Sequence, residues 1–404
     1  MRRGTLTLIV LAGLAAAAAL AWLAGGRLTS SRAPADDAWL AAAIAGVEAG
    51  RATTPLVRER AGSSEVDVIF LAQDADGVSP RIVSDATGWG EQPGERFSFA
   101  VGRMARVERT DQGGRASRWY FLTTRVARGA RIEYLLAYTP GDYRIDPHNP
   151  RRARFRPEGS PASEFVVPGY VPPPGEPVVA ADSAGNVAHL SVESAALSGA
   201  VPVVVYTPPG YRRDHACPVV VFHDRLNWGR EGDGPRLLDR LIADGRIEPV
   251  IAVFADSGRP GDENVPAVRT FLGEELPQWL GSRYNVTGRA EARVIVGASY
   301  GARDALEAAT GRGAAYGRVA LLIPGRRLRA TDVDELSRRP SGRLRIAILA
   351  ARYDAPNLAT ARSVRAVFAS AGHQVHYVEV SEGHNAATWH DHAGEILTAL
   401  LPPR

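Results

Sequence analysis

The stretch ARVIVGASYGARDALEAA, residues 292–309, decides how the chain is read. Val294, Ile295 and Val296 form a β-branched apolar run typical of a buried strand. Ala302 to Ala309 carry helix formers without glycine or proline. Between them stands Gly297-Ala298-Ser299-Tyr300-Gly301, a G-x-S-x-G pattern. So sharp a strand-to-helix turn needs small residues beside the serine, because strand and helix approach each other there. The turn holds the hydroxyl above the sheet edge at the amino end of the helix. The context therefore predicts Ser299 as a nucleophile.

A serine hydroxyl needs a base to take its proton. In this arrangement the order along the chain is serine, acid, histidine. VHYVEVSEGHNAATW places His384 just past the last strand. His390 and His392 in the following helix are competitors, and His373 and His376 lie before and within the strand. RIAILAARYDAPN places Asp354 after the preceding strand, where it would fix the imidazole tautomer and stabilise the imidazolium. The same aspartate also suits a helix N-cap. Asp256 precedes the serine and has the wrong order. The backbone N–H of Tyr300 is the expected first oxyanion donor, and the loop at Asp224, Arg225 and Leu226 the second. Arg225 is the chosen second donor.

Outward from this segment, apolar strands alternate with helical stretches from about residue 178 to 404. AHLSVES, VPVVVYTP, CPVVVFHD, PVIAVFAD, RVALLIPG, RIAILAAR and VHYVEVSE read as strands. Several are continuous apolar runs, so an α/β domain with a mostly parallel sheet is expected. Residues 63–155 change to short alternating strands (VDVIFLA, RFSFAVGRM, SRWYFLTTRV, ARIEYLLAYT) between Gly, Asp and Pro turns, the pattern of a small β-sandwich. Residues 156–177 form a Pro/Gly-rich connector. Residues 27–62 read as a linker with a short helix, with Trp39, Leu40, Ile44 and Val47 near helical spacing. Residues 1–26 place Arg2 and Arg3 before an Ala/Leu-rich run, which predicts an export signal or an uncleaved membrane anchor. Cleavage would follow Ala21 or Ala24. The body is expected outside the cytoplasm, periplasmic or secreted, or tethered to the inner membrane.

Composition narrows the classes further. With 45% hydrophobic and 23% charged residues in 404, the chain is neither disordered nor polytopic. One cysteine excludes a disulfide framework and any multi-cysteine metal site, and no metal or cofactor is expected. All 48 basic residues are arginine, but they are interleaved with acids, which argues against nucleic acid as a partner.

Taken in order, these segments resemble the enterochelin (ferric-enterobactin) esterase group of the α/β hydrolases, from about Arg51 to Pro403. DATGWG (Asp85–Gly90) resembles the "DFNGW" turn of early-set, immunoglobulin-like sandwiches, and DPHNP (Asp146–Pro150) also fits such domains. HDRLNW resembles "LDGxxW", with Asp224 in register and Trp228 close by. EELPQWL resembles "EELLPWL", GASYGA resembles "GxSxGG", and EGHNAATW resembles "GGHdxxxW" with Trp389. The resemblance implies an α/β-hydrolase fold behind an early-set sandwich. It also implies serine-dependent ester hydrolysis through an acyl-enzyme, with Asp224, Arg225, Trp228 and Trp389 at the substrate. Catecholate–serine siderophore esters, free or iron-loaded, are the favoured small-molecule substrates. Arg225 replaces the family glycine, and Ala302 the second glycine of the elbow. Arg225, Arg230 and Arg259 are candidate contacts for an anionic substrate. The rival readings are an exported acyl or feruloyl-type carbohydrate esterase and a silent glycan-binding relic.

Overall fold

The computed structural model describes residues 37–75, 77–85, 87, 102–107, 118–155, 160–172, 184–223, 233–256, 265–311, 315–325, 328–339 and 342–403. The segment 1–26, most of the strand RFSFAVGRM and the loop holding Asp224, Arg225 and Trp228 lie outside them. The chain forms two compact units. The first comprises Met1–Val171, Ala351–Ala359 and Val380–Thr388; the second comprises Pro172–Ala350, Thr360–Glu379 and Trp389–Arg404.

The first unit begins with helix α1 (Asp37–Glu48). Strands β1 (Leu56–Arg58), β2 (Glu65–Gln73), β3 (Arg81–Ser84), β4 (Ala105–Arg106), β5 (Trp119–Ala127), β6 (Arg131–Thr139), β7 (Asp142–Arg144) and β8 (Ser163–Val166) follow. They pair antiparallel in two sheets, β1-β2-β5-β4 and β3-β6-β7 with β8 on β6. Strand alternation explains the layering. Val66, Val68, Phe70 and Ala72 of β2 share a core with Ile132, Tyr134 and Leu136 of β6 and Phe165 of β8. Phe70 meets Tyr134 and Phe165 edge-on, with ring centroids 5.0 and 5.5 Å apart. The alternate residues Ile69 and Leu71 pack with Leu40, Ile44 and Val47 of α1. The helix expected within residues 27–62 is thus packed against a sheet face. Trp119 Nε1–H donates to Glu48 Oε1 at 2.7 Å and pins its end.

DPHNP is a structural lock in this unit. Tyr134 O–H donates to Asp146 Oδ2 at 2.7 Å, and Asp146 Oδ1 accepts from the His148 backbone at 2.8 Å. Asn149 Nδ2 donates to the Glu164 carbonyl at 2.9 Å and so ties the loop to β8.

The second unit carries most of a larger sheet. Its elements are β9 (Asn186–Ser194), β10 (Gly199–Thr207), β11 (Val219–His223), α2 (Asp233–Ala243), β12 (Ile251–Ala255), α3 (Val265–Thr270), α4 (Leu276–Arg283), β13 (Arg293–Ala298) and α5 (Gly301–Thr310). Then come β14 (Arg318–Leu322), α6 (Ala330–Arg338), β15 (Arg345–Ala351), α7 (Ala355–Ser370), β16 (Gln374–Val380) and α8 (Ala386–Leu400). The eight strands are ordered β16-β15-β14-β13-β11-β12-β10-β9. Pairs β11–β12, β11–β13, β13–β14 and β14–β15 are parallel, whereas β10 is antiparallel to both β9 and β12. The sheet is therefore mixed, with its antiparallel pairs at the β10 end. The link from Ser194 to Gly199 is too short for a crossover, so β9 and β10 must form a hairpin.

RTFLGEELPQWLGSRY reads as one helix from its sequence, but a π turn at Phe271–Glu275 separates α3 from α4. Leu276 N–H reaches back to the Phe271 carbonyl. Pro277 follows at the start of α4 and has no N–H to donate.

Candidate active site

Ser299 occupies the turn between β13 and α5 with φ of 51°, a left-handed conformation that non-glycine residues rarely adopt. Its neighbours explain how the turn closes. The Ser299 N–H donates to the Leu322 carbonyl of β14 at 3.0 Å, and its own carbonyl accepts from Gly325 N–H at 2.9 Å. A Cβ on Gly297 would stand 2.2 Å from the Gly301 carbonyl oxygen, and one on Gly301 would stand 2.8 Å from that of His223. Both glycines are therefore required by contact. Tyr300 is 54% exposed and is the N-cap of α5, so its backbone N–H lies at the positive end of that helix.

Asp354 follows β15 and His384 follows β16, and the structure brings these two side chains together. His384 Nδ1 lies 2.6 Å from Asp354 Oδ2, within charge-assisted hydrogen-bond range. The Asp354 side chain is 7% exposed and that of His384 is 24% exposed. Such a pair fixes the imidazole tautomer and leaves Nε2 as the nitrogen that can take a proton. The Asp354 carbonyl also accepts from Leu358 N–H at 2.8 Å, so the residue caps α7 as well. Ser299 belongs to the other compact unit, the one that carries the elbow.

Two of the competitors have other engagements. His373 Nδ1 accepts from the Leu344 backbone at 3.1 Å, and its Nε2 lies 2.9 Å from the Ser337 carbonyl. His376 is exposed on β16. His392 stands 3.9 Å from Glu395 on the same helix. Trp389, expected at the substrate, is buried on α8. Among the described residues no group of three or more His, Cys, Asp or Glu is placed to hold a metal.

Several residues with buried bonds in the two units were not singled out from sequence. Asn357 Nδ2 donates to Asp354 Oδ2 at 2.7 Å and lies 3.2 Å from His384 Nδ1. Its place one helical turn after Asp354, in the first turn of α7, was the available signal. Under the elbow, buried His223 Nε2 lies 3.2 Å from Asp304 Oδ2 of α5. Asp85 accepts from Glu133 N–H and from Asn385 Nδ2, each at 2.9 Å. Nothing local in DATGWG announces a link to a residue 300 positions away.

A family model described as "Putative esterase" matches residues 194–398, which is half of the chain. The chain belongs to this esterase family. Its fold is similar to that of the ferric enterobactin esterase of Salmonella typhimurium, at 17% identity and a TM-score of 0.65, over 86% of this chain and 96% of that one. It is also similar to the enterobactin esterase of Shigella flexneri, crystallised in the presence of enterobactin, at 16% identity and a TM-score of 0.61. That match covers 92% of this chain and 98% of the other. No curated protein matches the sequence significantly. The esterase is thus a carboxylic ester hydrolase by family.

Proposed function

We propose that this protein is a serine esterase in which Ser299, His384 and Asp354 form the catalytic set. The supporting observation is the strained elbow at Ser299, in a chain of the esterase family that also holds Asp354 and His384 at 2.6 Å. In this mechanism His384 Nε2 takes the Ser299 proton as Oγ attacks the ester carbonyl. Asp354 stabilises the imidazolium, which then protonates the leaving alcohol. Water repeats the sequence on the acyl-enzyme and releases the acid. Tyr300 N–H donates to the oxyanion, with Arg225 N–H as the second donor. Asp224, Arg225, Trp228 and Trp389 are proposed to face the substrate.

The favoured substrates are catecholate–serine siderophore esters. The support is the likeness to enterobactin esterases over most of the chain, front unit included. The same reading takes the front unit as an early-set sandwich and the second as an α/β-hydrolase domain. It also takes residues 1–26 as an export signal or inner-membrane tether, on the strength of Arg2, Arg3 and the apolar run.

The test is a substrate screen of the purified protein against p-nitrophenyl acetate, enterobactin, its ferric complex and feruloyl sugars. Hydrolysis of the siderophore esters that is lost in Ser299→Ala is the expected result. Cleavage of feruloyl sugars alone would replace the substrate assignment, and undiminished turnover in Ser299→Ala would end the mechanism.

A further inference from the structure

The segments carrying Asp354 and His384 group by contact with the sandwich rather than with the sheet they emerge from. The reason is a set of buried polar bonds that bracket His384 on both sides. Arg131, at the start of β6, is 1% exposed, and its Nε–H donates to Glu382 Oε2 at 3.0 Å, two residues before the histidine. Its Nη2 also donates to Glu382, to Asn385 Oδ1 at 3.2 Å and to Thr388 Oγ1 at 2.9 Å. Its Nη1 donates to Glu164 Oε2 of β8 at 3.1 Å, and Glu133 lies 3.9 Å away. Burial opposes the charge on this guanidinium, but Glu382, Tyr170 and Glu164 outweigh that cost and hold its pKa above the ordinary value.

Asp85, past the end of β3, completes the bracket. It accepts from Asn385 Nδ2 at 2.9 Å. A Cβ on Gly383 would lie 2.0 Å from the Asp85 Cβ, so the residue before His384 rests directly on this carboxylate. The acid is held from the same side. Tyr353, next to Asp354, belongs to the sandwich core, and its hydroxyl accepts from Ala127 N–H of β5 at 2.7 Å. Tyr353 N–H donates to the Glu382 carbonyl at 3.0 Å and joins the two catalytic loops.

We propose that Arg131 and Asp85 of the sandwich are positioning residues for the Asp354–His384 pair. They fix the backbone on both sides of the base, so the front unit sets the base geometry. This rests on the triad proposed above. A displaced base costs turnover steeply while leaving substrate contacts in place.

The test compares kcat, KM and Tm on a p-nitrophenyl ester for wild type, Asn385→Ala, Arg131→Met and Arg131→Lys. The downfield proton NMR signal of the Asp354–His384 hydrogen bond is followed alongside. Asn385→Ala removes the bonds that Arg131 and Asp85 make after the histidine and leaves the Arg131–Glu382 pair before it, and every charge, in place. It is expected to lower kcat roughly 10- to 100-fold at temperatures well below its Tm, with KM within about two-fold, and to weaken the downfield signal. Arg131→Lys should retain more turnover than Arg131→Met. Wild-type kcat in both folded Asn385→Ala and folded Arg131→Lys would overturn the proposal, as would losses that track only the unfolded fraction. If Arg131→Met fails to fold, Asn385→Ala and Arg131→Lys decide together. Ser299→Ala and His384→Ala run in parallel. If either turns over like wild type, the triad fails whatever Arg131 does. If both are inactive and neither Asn385→Ala nor Arg131→Lys is impaired, only the positioning role fails.

Discussion

Ser299 holds a backbone conformation that costs a non-glycine residue on the order of 1–3 kcal/mol, and the β13–α5 turn with its two glycines imposes it. Replacing the residue by glycine relieves that strain and removes the hydroxyl. Ser299→Gly is therefore expected to raise unfolding stability by about 1 kcal/mol in urea titrations while hydrolysis is lost. An inactive variant less stable than wild type would show that the turn stores no strain. The flanking glycines predict the opposite sign. In Gly301→Ala the new methyl meets the His223 carbonyl at 2.8 Å, and a backbone atom cannot swing aside as a side-chain tip can. Overpacking of this kind costs about 1–3 kcal/mol. It would also displace the Ser299 hydroxyl, so both the urea midpoint and kcat should fall. Wild-type values for both would contradict the close approach.

At the scale of elements, Tyr353 joins α7's leading loop to β5 through one hydroxyl that accepts the Ala127 N–H. Tyr353→Phe keeps the ring in the sandwich core but leaves a strand-end N–H without that acceptor. The expected loss is about 1–3 kcal/mol in chemical denaturation, with KM unchanged; no change in midpoint would mean that water replaces the bond. This contact also marks the limit of sequence reading. Every strand of the mixed sheet was legible, because β11, β12, β13, β14 and β15 are near-continuous apolar runs buried on both faces. The places of Ser299 and Asp354 were legible because each follows such a run, and the place of His384 because it follows the last strand, β16. The π turn was not, since helical periodicity survives one extra residue. The Arg131 bracket was not legible either, because Arg131 and Glu382 are 251 positions apart and each looks like an ordinary polar residue locally. Burial of a charge is a property of the partner surface, and that surface is assembled only in the fold.

For the whole molecule, the absence of lysine gains a physical consequence. Arginine does not titrate below about pH 12, so in this chain alkaline behaviour falls mainly to tyrosine. Tyr134, Tyr206 and Tyr316 are buried, and burial is the leading cause that holds their pKa values above the ordinary phenol range. Their hydroxyls donate to Asp146 at 2.7 Å, Asp239 at 2.8 Å and the Leu272 carbonyl at 2.8 Å, bonds that a phenolate cannot make. Half-buried Tyr377 is pushed up to about 12 by burial, with Glu379 adding to the shift. Folded-state values above the unfolded value of about 10 mean that the unfolded chain releases protons the folded chain keeps. The stability these phenols contribute is fully present below pH ~10 and is lost as pH rises above it, by up to about 1.4 kcal/mol per pH unit for each. Buried Cys217, also shifted upward by desolvation, adds to the same trend. Tm is therefore expected to hold steady up to about pH 9 and then to fall steeply through pH ~11. Tyrosinate absorbance should contain a fraction that rises only as the circular dichroism is lost. In Tyr316→Phe the fall should be shallower, because one of the protons that drives it is gone. A Tm that stays flat across this range, or phenols that all ionise while the fold persists, would show that these side chains reach solvent without unfolding.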